Sequence, residues 1–320
     1  MIQATPEMVH EAYDRIARYA HRTPILSCAT LNARADAAVF LKCESFQKTG
    51  SFKFRGACNA VASLVAKQRS RGVYAHSSGN HAQALALAAR IHGIPSYIVM
   101  PENSNPTKVA ATRSYGAEIT YCSATHEARW EAAERVGKKT GATLVHPHND
   151  PHVIAGQGTA CLELMEEIAD LDLVLAPVGG GGLLSGTLLI AKHRVPQIVV
   201  IGCEPEGADD AARSLAQGKR LLDFVPHTIA DGLRTPLGEN TFKIISDLVD
   251  RIVLVSEEEI LEAMRFIWER MKILIEPSSA VAVAPLLNGS IEIKGRRIGV
   301  IVSGGNVDVT AFFAHLEAIA

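Results

Sequence analysis

The stretch LDLVLAPVGGGGLLSG (171–186) runs from apolar residues through four consecutive glycines into a helical pattern. Its apolar part predicts a buried strand at 171–177, and the residues after the glycines predict a helix at 183–193. Consecutive glycines leave backbone N–H groups uncovered, and the start of the helix adds the positive end of its dipole. The stretch therefore predicts a phosphate-binding loop. It is not a P-loop, because no Gly-Lys-Ser/Thr follows.

The same alternation of strand and helix runs along the chain. Further strands are predicted at 38–44, 72–78, 95–101, 117–122, 143–147 and 197–205, and at the starts of 250–271 and 296–306. Helices are predicted at 52–66, 80–91, 106–115, 125–140 and 153–169, and in the second part of 250–271. Val- and Ile-rich strands that alternate with helices are typical of parallel sheets flanked by helices, so the predicted fold class is α/β.

No linker rich in Pro, Gly or Ser divides the chain, so a second domain is expected to be woven into the first. We predict a large domain formed by 1–69 together with 150–320, and a small α/β domain inserted at 70–149. A cofactor would lie between the two. The segment that follows SGGNVDVT (303–310) is expected to be too short for a regulatory domain.

The composition excludes several classes of protein. The 320 residues are 48% hydrophobic with a net charge of −2, which gives no electrostatic case for nucleic acid or an anionic membrane. No run of about 18 apolar residues predicts a transmembrane helix. The N-terminal stretch carries acids and lacks an apolar signal core. Six scattered cysteines without a C-x-x-C pair predict free thiols, so a cytoplasmic protein is expected.

The stretch KTGSFKFRGA (48–57) places Lys53 between Phe52 and Phe54. A solvated surface would not need the aromatic flanks, and a core segment would not favour the lysine. An amine in a partly apolar place, together with a phosphate-binding loop, suggests pyridoxal phosphate, whose aldehyde forms a Schiff base with a lysine. The loop HSSGNHAQA (76–84) adds polar groups after a strand, although Ser78 or Asn80 could equally cap the helix that follows.

Six motifs then carry a resemblance that covers nearly the whole chain. In order they are SFKFRGA (51–57), SSGNHAQA (77–84), GGGGLLSG (179–186), EPEGADDA (204–211), DGLRT (231–235) and SGGNVD (303–308). The chain resembles the two-domain, fold-type II pyridoxal-phosphate enzymes, whose fold is like that of the tryptophan synthase β-subunit. Within them it is similar to the group of serine racemases, serine/threonine dehydratases and 3-hydroxyaspartate dehydratases. The resemblance implies a homodimer that acts on a small amino acid.

The resemblance also implies the roles of individual residues. Lys53 would bond to the cofactor and act as a base at the substrate Cα, and Ser78 would be the second acid/base on the opposite face. The cofactor would contact Phe52 at its ring, Asn80 at its phenolic oxygen, Ser303 at its pyridine nitrogen, and the backbone of Gly179, Gly180, Gly181, Gly182 and Leu183 at its phosphate. The substrate carboxylate would contact Ser77, Asn80, His81 and Gln83.

A divalent cation is a further expectation. Glu204, the carbonyl of Ala208 and Asp210 offer hard oxygen ligands that suit Mg²⁺, with Ca²⁺ or Mn²⁺ as alternatives. Their spacing alone also fits an ordinary helix start with acidic residues near its N-terminus. The resemblance favours a cation site that supports activity.

The β-substituent of the substrate would decide the reaction. Loss of a β-hydroxyl gives a keto acid and ammonia, and return of the proton on the other face gives racemisation, so Lys53 and Ser78 leave both activities open. Arg129 resembles the arginine near the dicarboxylate ligand of serine racemases, although its helix pattern also fits a solvated face. His146, His148 and His152 lie near the expected cleft entry, and Arg234 and Thr235 add polar groups.

These positive groups would suit a second carboxylate on the substrate. The sequence-based prediction is therefore a 3-hydroxyaspartate dehydratase that releases ammonia and leaves oxaloacetate. The alternatives are an L-serine/L-threonine dehydratase, and a serine or aspartate racemase with side dehydratase activity. A non-catalytic binding protein of the same fold would be expected to lose Lys53 or the glycines.

Overall fold

The computed structural model describes residues 3–104, 106–309 and 312–313, and ten strands lie within them. The strands are β1 (Ile25–Leu26), β2 (Ala38–Cys43), β3 (Val73–His76), β4 (Ser96–Pro101), β5 (Glu118–Cys122), β6 (Thr143–Leu144), β7 (Leu173–Pro177), β8 (Val199–Pro205), β9 (Arg251–Val255) and β10 (Arg297–Val302). They form a six-stranded sheet in the order β1-β2-β10-β7-β8-β9 and a four-stranded sheet in the order β5-β4-β3-β6.

Helices cover both sheets. They are α1 (Pro6–Ile16), α2 (Ala29–Ala35), α3 (Lys53–Ala62), α4 (Ala66–Arg71), α5 (Asn80–Ile91), α6 (Pro106–Ser114), α7 (His126–Thr140), α8 (Pro151–Glu167), α9 (Gly182–Arg194), α10 (Asp210–Gln217), α11 (Glu239–Leu248), α12 (Glu257–Met271), α13 (Pro277–Ala280) and α14 (Ala284–Asn288). Among the helices in these residues, none is long and apolar enough to cross a bilayer.

Apart from the antiparallel pair β1–β2, the described strands of both sheets pair in parallel. β10 lies between β2 and β7, with Ile298 opposite Val39 on one side and Leu173 on the other. The predicted α/β class is confirmed. The prediction of one helix over 52–66 is wrong, because α3 ends at Ala62 and a separate helix starts at Ala66.

The strands of the smaller sheet all lie between Val73 and Leu144. The core beneath this sheet also takes in residues from outside that range, because Phe54 and Cys58 of α3 and Ile16 of α1 pack in one cluster with Val73 and Leu85. The predicted domain boundaries at 70 and 149 stay a prediction.

In parallel sheets, the loops after the strands lie together at the carboxyl edge, where ligands bind. Three of the polar motifs follow strands in this way: 77–79 follows β3, 178–181 follows β7 and 303–306 follows β10. Ser51 forms an isolated bridge with Gly304, and the Phe52 N–H donates to the Ser303 carbonyl at 2.9 Å. The start of α3, which carries Lys53, is therefore joined to the loop after β10.

A buried ionic cluster fixes α3 two residues after Lys53. The Arg55 guanidinium donates from Nε and Nη2 to the Glu44 carboxylate at 2.7 and 2.9 Å, and from Nη1 and Nη2 to that of Glu163 at 2.7 and 2.8 Å. Lys42 Nζ also pairs with Glu163 at 2.6 Å. All four side chains are almost completely removed from water. Such pairing offsets the cost of burying charge only when every partner is present.

We expect Arg55→Met to lower the free energy of unfolding by about 3–5 kcal/mol, because Glu44 and Glu163 would be left buried without their shared partner. The measurement is urea unfolding followed by circular dichroism. Arg34→Met is the matched control, because Arg34 pairs with Glu262 at 2.7 Å with both side chains about half exposed. The control should lose less than about 1 kcal/mol. Equal losses would show that the buried cluster does not stabilise α3.

Candidate active site

Lys53 lies at the first position of α3 in a half-buried place. Its Nζ donates to the Pro147 carbonyl at 2.9 Å and lies 5.1 Å from the centroid of the Phe52 ring. Burial lowers the pKa of Lys53 from 10.5 to about 8, against the opposing charge of Glu276. A neutral amine is therefore accessible near neutral pH, as a nucleophile or a base needs.

The glycine loop, residues 179–182, leads from β7 into α9. Gly181 has a φ of 85°, a left-handed conformation that glycine adopts without strain, and it precedes the helix without any side-chain cap. The whole turn is buried. The first N–H groups of a helix have no acceptor within the helix, so a buried and uncapped start favours an anion such as a phosphate. This fits the phosphate of pyridoxal phosphate.

Close neighbours leave no room for side chains in the glycine loop. A Cβ on Gly179 would lie 2.7 Å from the Leu233 Cα, and one on Gly180 would lie 2.3 Å from His148 Nδ1. Thr241 fixes the loop from behind, because its Oγ1 donates to the Gly180 carbonyl at 2.8 Å. The loop therefore holds its backbone in one position beside His148.

A cluster of histidines adjoins Lys53. The rings of His146 and His148 lie 4.5 Å apart, and Trp130 lies 4.3 Å from His76 and 6.1 Å from His146. Burial lowers the pKa of His146 to about 4, helped by the charges of His76 and Lys53, and burial lowers the pKa of His148 well below 6.5. His146 Nδ1 accepts the backbone N–H of Asn149 at 3.0 Å, which leaves the proton on Nε2. These histidines are therefore neutral donors.

The loop after β3 brings the serines of the sequence prediction to the same edge. Ser77 Oγ accepts the Gly79 N–H at 3.3 Å, and Ser78 is half-buried beside it. His81 Nε2 lies 2.9 Å from the Val145 carbonyl, and burial lowers its pKa to about 3. His81 is therefore a neutral donor that ties α5 to the loop after β6. Gln83, two residues further along α5, is also buried.

Ser303 directly follows β10, and its side chain is buried. Its Oγ lies 3.0 Å from the Ser279 Oγ, which also donates to the Gly304 carbonyl at 2.7 Å. With its own proton on the Gly304 carbonyl, the Ser279 hydroxyl can accept a hydrogen bond from Ser303 and hold it in place. A neutral partner of this kind suits a pyridine nitrogen that need not be protonated.

Sequence reasoning missed Glu276, which lies beside Asn80. Asn80 Nδ2 donates to both carboxylate oxygens of Glu276, at 3.0 and 3.1 Å, and the Asn306 N–H donates to one of them at 3.2 Å. Asn306 Nδ2 also donates to Asn80 Oδ1 at 2.9 Å. Burial raises the pKa of Glu276 to about 7, and the charge of Asp231 adds to the rise. A lone acid in the apolar run ILIEPSSA (273–280) was the available clue.

Other residues that the sequence predicts near the substrate lie exposed or form hydrogen bonds with other parts of the chain. Arg129 Nη2 donates to the Ala124 carbonyl at 3.2 Å on its own helix start. Arg234 donates to the Thr228 carbonyl from Nε at 3.0 Å, and Thr235 beside it is exposed. His152 lies in the first turn of α8, where its carbonyl accepts from Asn59. Their substrate roles stay predictions.

The candidate cation ligands lie at the end of β8 and the start of α10. Glu204 accepts the N–H groups of Ala211 and Ala212 at 2.8 and 2.9 Å. Both carboxylate oxygens of Asp210 are buried and accept no well-aligned hydrogen bond from the described residues, although the Leu237 amide lies near enough to lower its pKa. Burial nevertheless raises the pKa of Glu204 to about 9 and that of Asp210 to about 7. Such unsatisfied oxygens fit a cation.

Comparison with known proteins gives the class. A family model described as pyridoxal-phosphate dependent enzyme matches residues 16–304. The chain belongs to this family of fold-type II enzymes. The predictions of the family and of a pyridoxal-phosphate enzyme are therefore confirmed.

Individual relatives are similar along almost their whole length. The chain is 48% identical over 315 residues to the serine racemase of Arabidopsis thaliana, covering 97% of this chain and 95% of the relative. It is 46% identical over 305 residues to the beta-hydroxyaspartate dehydratase of Paracoccus denitrificans, covering 95% and 97%. The crystal structure of serine racemase from Dictyostelium discoideum superposes with a TM-score of 0.92 at 47% identity, covering 96% and 99%.

We expect the Lys53 amine of the apoprotein to become reactive as the pH rises through about 8, well before an ordinary lysine at 10.5, because burial disfavours the ammonium form. The measurement is competitive labelling with an amine reagent, resolved by mass spectrometry, with the other lysines as internal references. Lys53→Ala should also lose covalently held cofactor and lower turnover by more than about a thousandfold. Full activity in that variant would exclude Lys53 as the cofactor lysine.

Proposed function

We propose that the protein is a dehydratase that eliminates the β-hydroxyl of a β-hydroxy-α-amino acid to give a keto acid and ammonia. The preferred substrate is 3-hydroxyaspartate, and the product is oxaloacetate. The observation that carries this proposal is the cluster of neutral histidines beside Lys53, which adjoins His81, one of the residues expected to hold the α-carboxylate. The family resemblance adds that the protein would be a homodimer, and the cytoplasm remains its proposed location.

Pyridoxal phosphate, when bound, supplies the electron sink that lets the substrate Cα lose its proton. Lys53 takes that proton, since its lowered pKa leaves a neutral amine available. The glycine loop would hold the phosphate, Asn80 would bond the phenolic oxygen and Ser303 the pyridine nitrogen. Phe52 would pack beside the ring. The α-carboxylate would be bound by Ser77, Asn80, His81 and Gln83.

The second carboxylate of 3-hydroxyaspartate needs donors at the β-carbon. His146 and His148 are uncharged, and a carboxylate placed beside them would favour their protonated forms. Arg129 precedes Trp130, whose ring contacts this cluster, and its buried Nε has no hydrogen-bond partner among the described residues. Turning the guanidinium towards a carboxylate would break its Nη2 hydrogen bond to the Ala124 carbonyl but no bond at Nε.

Serine racemisation, with serine or threonine dehydration beside it, is the second candidate. Ser78 lies in the loop after β3, and by resemblance its hydroxyl would return a proton on the face of Cα opposite Lys53. The serine racemase relative at 48% identity favours this activity as much as the beta-hydroxyaspartate dehydratase at 46% favours the first. The difference between these activities lies in the β-substituent, so substrate comparison tests them directly.

We expect keto acid to form fastest from an isomer of 3-hydroxyaspartate when matched concentrations of L-serine, L-threonine and the hydroxyaspartate isomers are compared. His148→Ala and Arg129→Ala should each reduce kcat/KM for hydroxyaspartate at least tenfold more than for L-serine, because serine has no second carboxylate. Arg135→Ala, an exposed arginine on the same helix as Arg129, is the control. A preference for L-serine that both variants leave unchanged would replace the proposal with a serine dehydratase or racemase.

We also propose that Glu204, the Ala208 carbonyl and Asp210 hold a divalent cation, with Mg²⁺ as the first choice. Three buried oxygen donors and few other ligands suit an ion that keeps several waters. The site is remote from Lys53 in sequence and lies where α10 begins, so the cation would act by holding that helix start against β8. Binding would release protons from carboxyl groups whose pKa is raised.

Mg²⁺ should raise the Tm of the wild-type protein, by an amount equivalent to about 2.7 kcal/mol at a hundredfold excess over Kd. Asp210→Asn should abolish this response, yet it should be no less stable than wild type in EDTA because a buried, unsatisfied carboxylate is removed. Asp209→Asn is the control, since Asp209 pairs with Arg213 at 3.3 Å on the surface. A full Mg²⁺ response in Asp210→Asn would exclude this site.

A further inference from the structure

We propose that Glu276 is a positioning residue for the cofactor ring: its carboxylate orients the Asn80 amide across the cleft and sets the charge that faces Lys53. This inference rests on the proposed function only in placing the cofactor between Lys53 and Asn80. It does not depend on which amino acid is the substrate.

The geometry gives Asn80 a single orientation. The Asn80 Nδ2 donates to both carboxylate oxygens of Glu276, and the Asn80 Oδ1 accepts from the Asn306 Nδ2. Each end of the amide thus has a partner of the right kind, and an inverted amide would place oxygen against carboxylate. Asn306 is itself held, because its Nδ2 donates to the Thr49 carbonyl at 2.7 Å and its N–H to Glu276.

Glu276 is also fixed to the large sheet. Its N–H donates to the Gly304 carbonyl at 3.0 Å, next to Ser303. Asn80 belongs to α5, which packs on the small sheet, so the Glu276–Asn80 contact joins the two sides of the cleft. Glu276 does not depend on the cofactor for its position, whereas Asn80 depends on Glu276.

The charges around Glu276 are few. Lys53 of α3, Asp231 of the turn before α11 and Lys108 of α6 face Glu276. Lys108 also forms an ion pair with Asp231. Asp231 raises the pKa of Glu276 and Lys108 lowers it, while burial has the largest effect and raises it to about 7. Glu276 is therefore ionised above neutral pH and protonated below it.

Protonation would weaken the contact with Asn80, because a charge-assisted hydrogen bond to a carboxylate becomes a neutral one. Asn80 would then be held less firmly towards the phenolic oxygen, with Asn306 as its remaining strong partner, and the negative charge that faces Lys53 would be lost. Protonation of the Glu276 carboxylate would thus affect both the orientation of Asn80 at the cofactor ring and the charge beside Lys53. The visible absorption of the bound cofactor reports on this directly.

The experiment is a pH titration of the visible absorption band of the holoenzyme, with turnover of any accepted substrate as a second readout. Glu276→Gln should remove the titration that wild type shows near neutral pH. Asp231→Asn should move the midpoint to lower pH and Lys108→Met to higher pH, each by about half a pH unit, because they remove charges of opposite sign. Glu262→Gln is the control. Glu262 lies on α12, where its half-exposed carboxylate pairs with Arg34 of α2, and its loss should leave the midpoint unchanged.

A double-mutant comparison tests whether Glu276 acts through Asn80. Adding Glu276→Gln to Asn80→Ala should change cofactor affinity less than twofold beyond Asn80→Ala alone, since coupled residues are not additive. Independent losses would overturn the positioning role. A midpoint that Asp231→Asn and Lys108→Met leave in place, or shift in the same direction, would overturn the charge assignment even if Glu276→Gln proved insoluble. Failure of the substrate proposal would alter turnover and leave the spectral titration intact.

Discussion

The buried pairing of Arg55 with Glu44 and Glu163 is the interaction on which the rest of the site depends. It joins three separate parts of the chain: the first turn of α3, the residue after β2 and the second half of α8. Burying four charges is favourable only with complete and well-aligned partners, so the cluster allows one arrangement of these elements. Lys53 lies two residues from Arg55, and its position follows from that arrangement.

The fixed start of α3 is then joined to the other loops of the carboxyl edge. The Phe52 N–H reaches the loop after β10, and Lys53 Nζ reaches the residues that precede α8. His148, in that last segment, lies against Gly180 of the glycine loop. The amine, the glycine loop and the expected ring partners are thus held by main-chain and side-chain contacts between elements of the fold, and a cofactor enzyme needs such a rigid scaffold.

Burial gives this cleft its chemistry. The same removal from water lowers the pKa of Lys53, keeps the histidines neutral and raises the pKa of Glu276. Each shift moves a group towards the uncharged form, which is the expected direction in a medium of low dielectric constant. Lys53, with a pKa of about 8, and Glu276, with a pKa of about 7, can thus exchange protons near neutral pH, whereas the histidines stay neutral. Perturbed groups that cluster in one cleft are typical of catalytic sites.

The sequence by itself determined the α/β class and the places of the buried strands, and it singled out the glycine loop and Lys53 as candidate site residues, because each depends on local pattern: apolar runs, consecutive glycines, an amine between aromatics. Glu276 and Asn306 could not be predicted as partners of Asn80, since the contact joins residues 196 and 226 positions apart. The sequence pattern of α7 likewise could not predict that the Arg129 guanidinium donates to the Ala124 carbonyl. Tertiary structure alone decided these contacts, since burial and charge at a side chain come from elements distant in the chain.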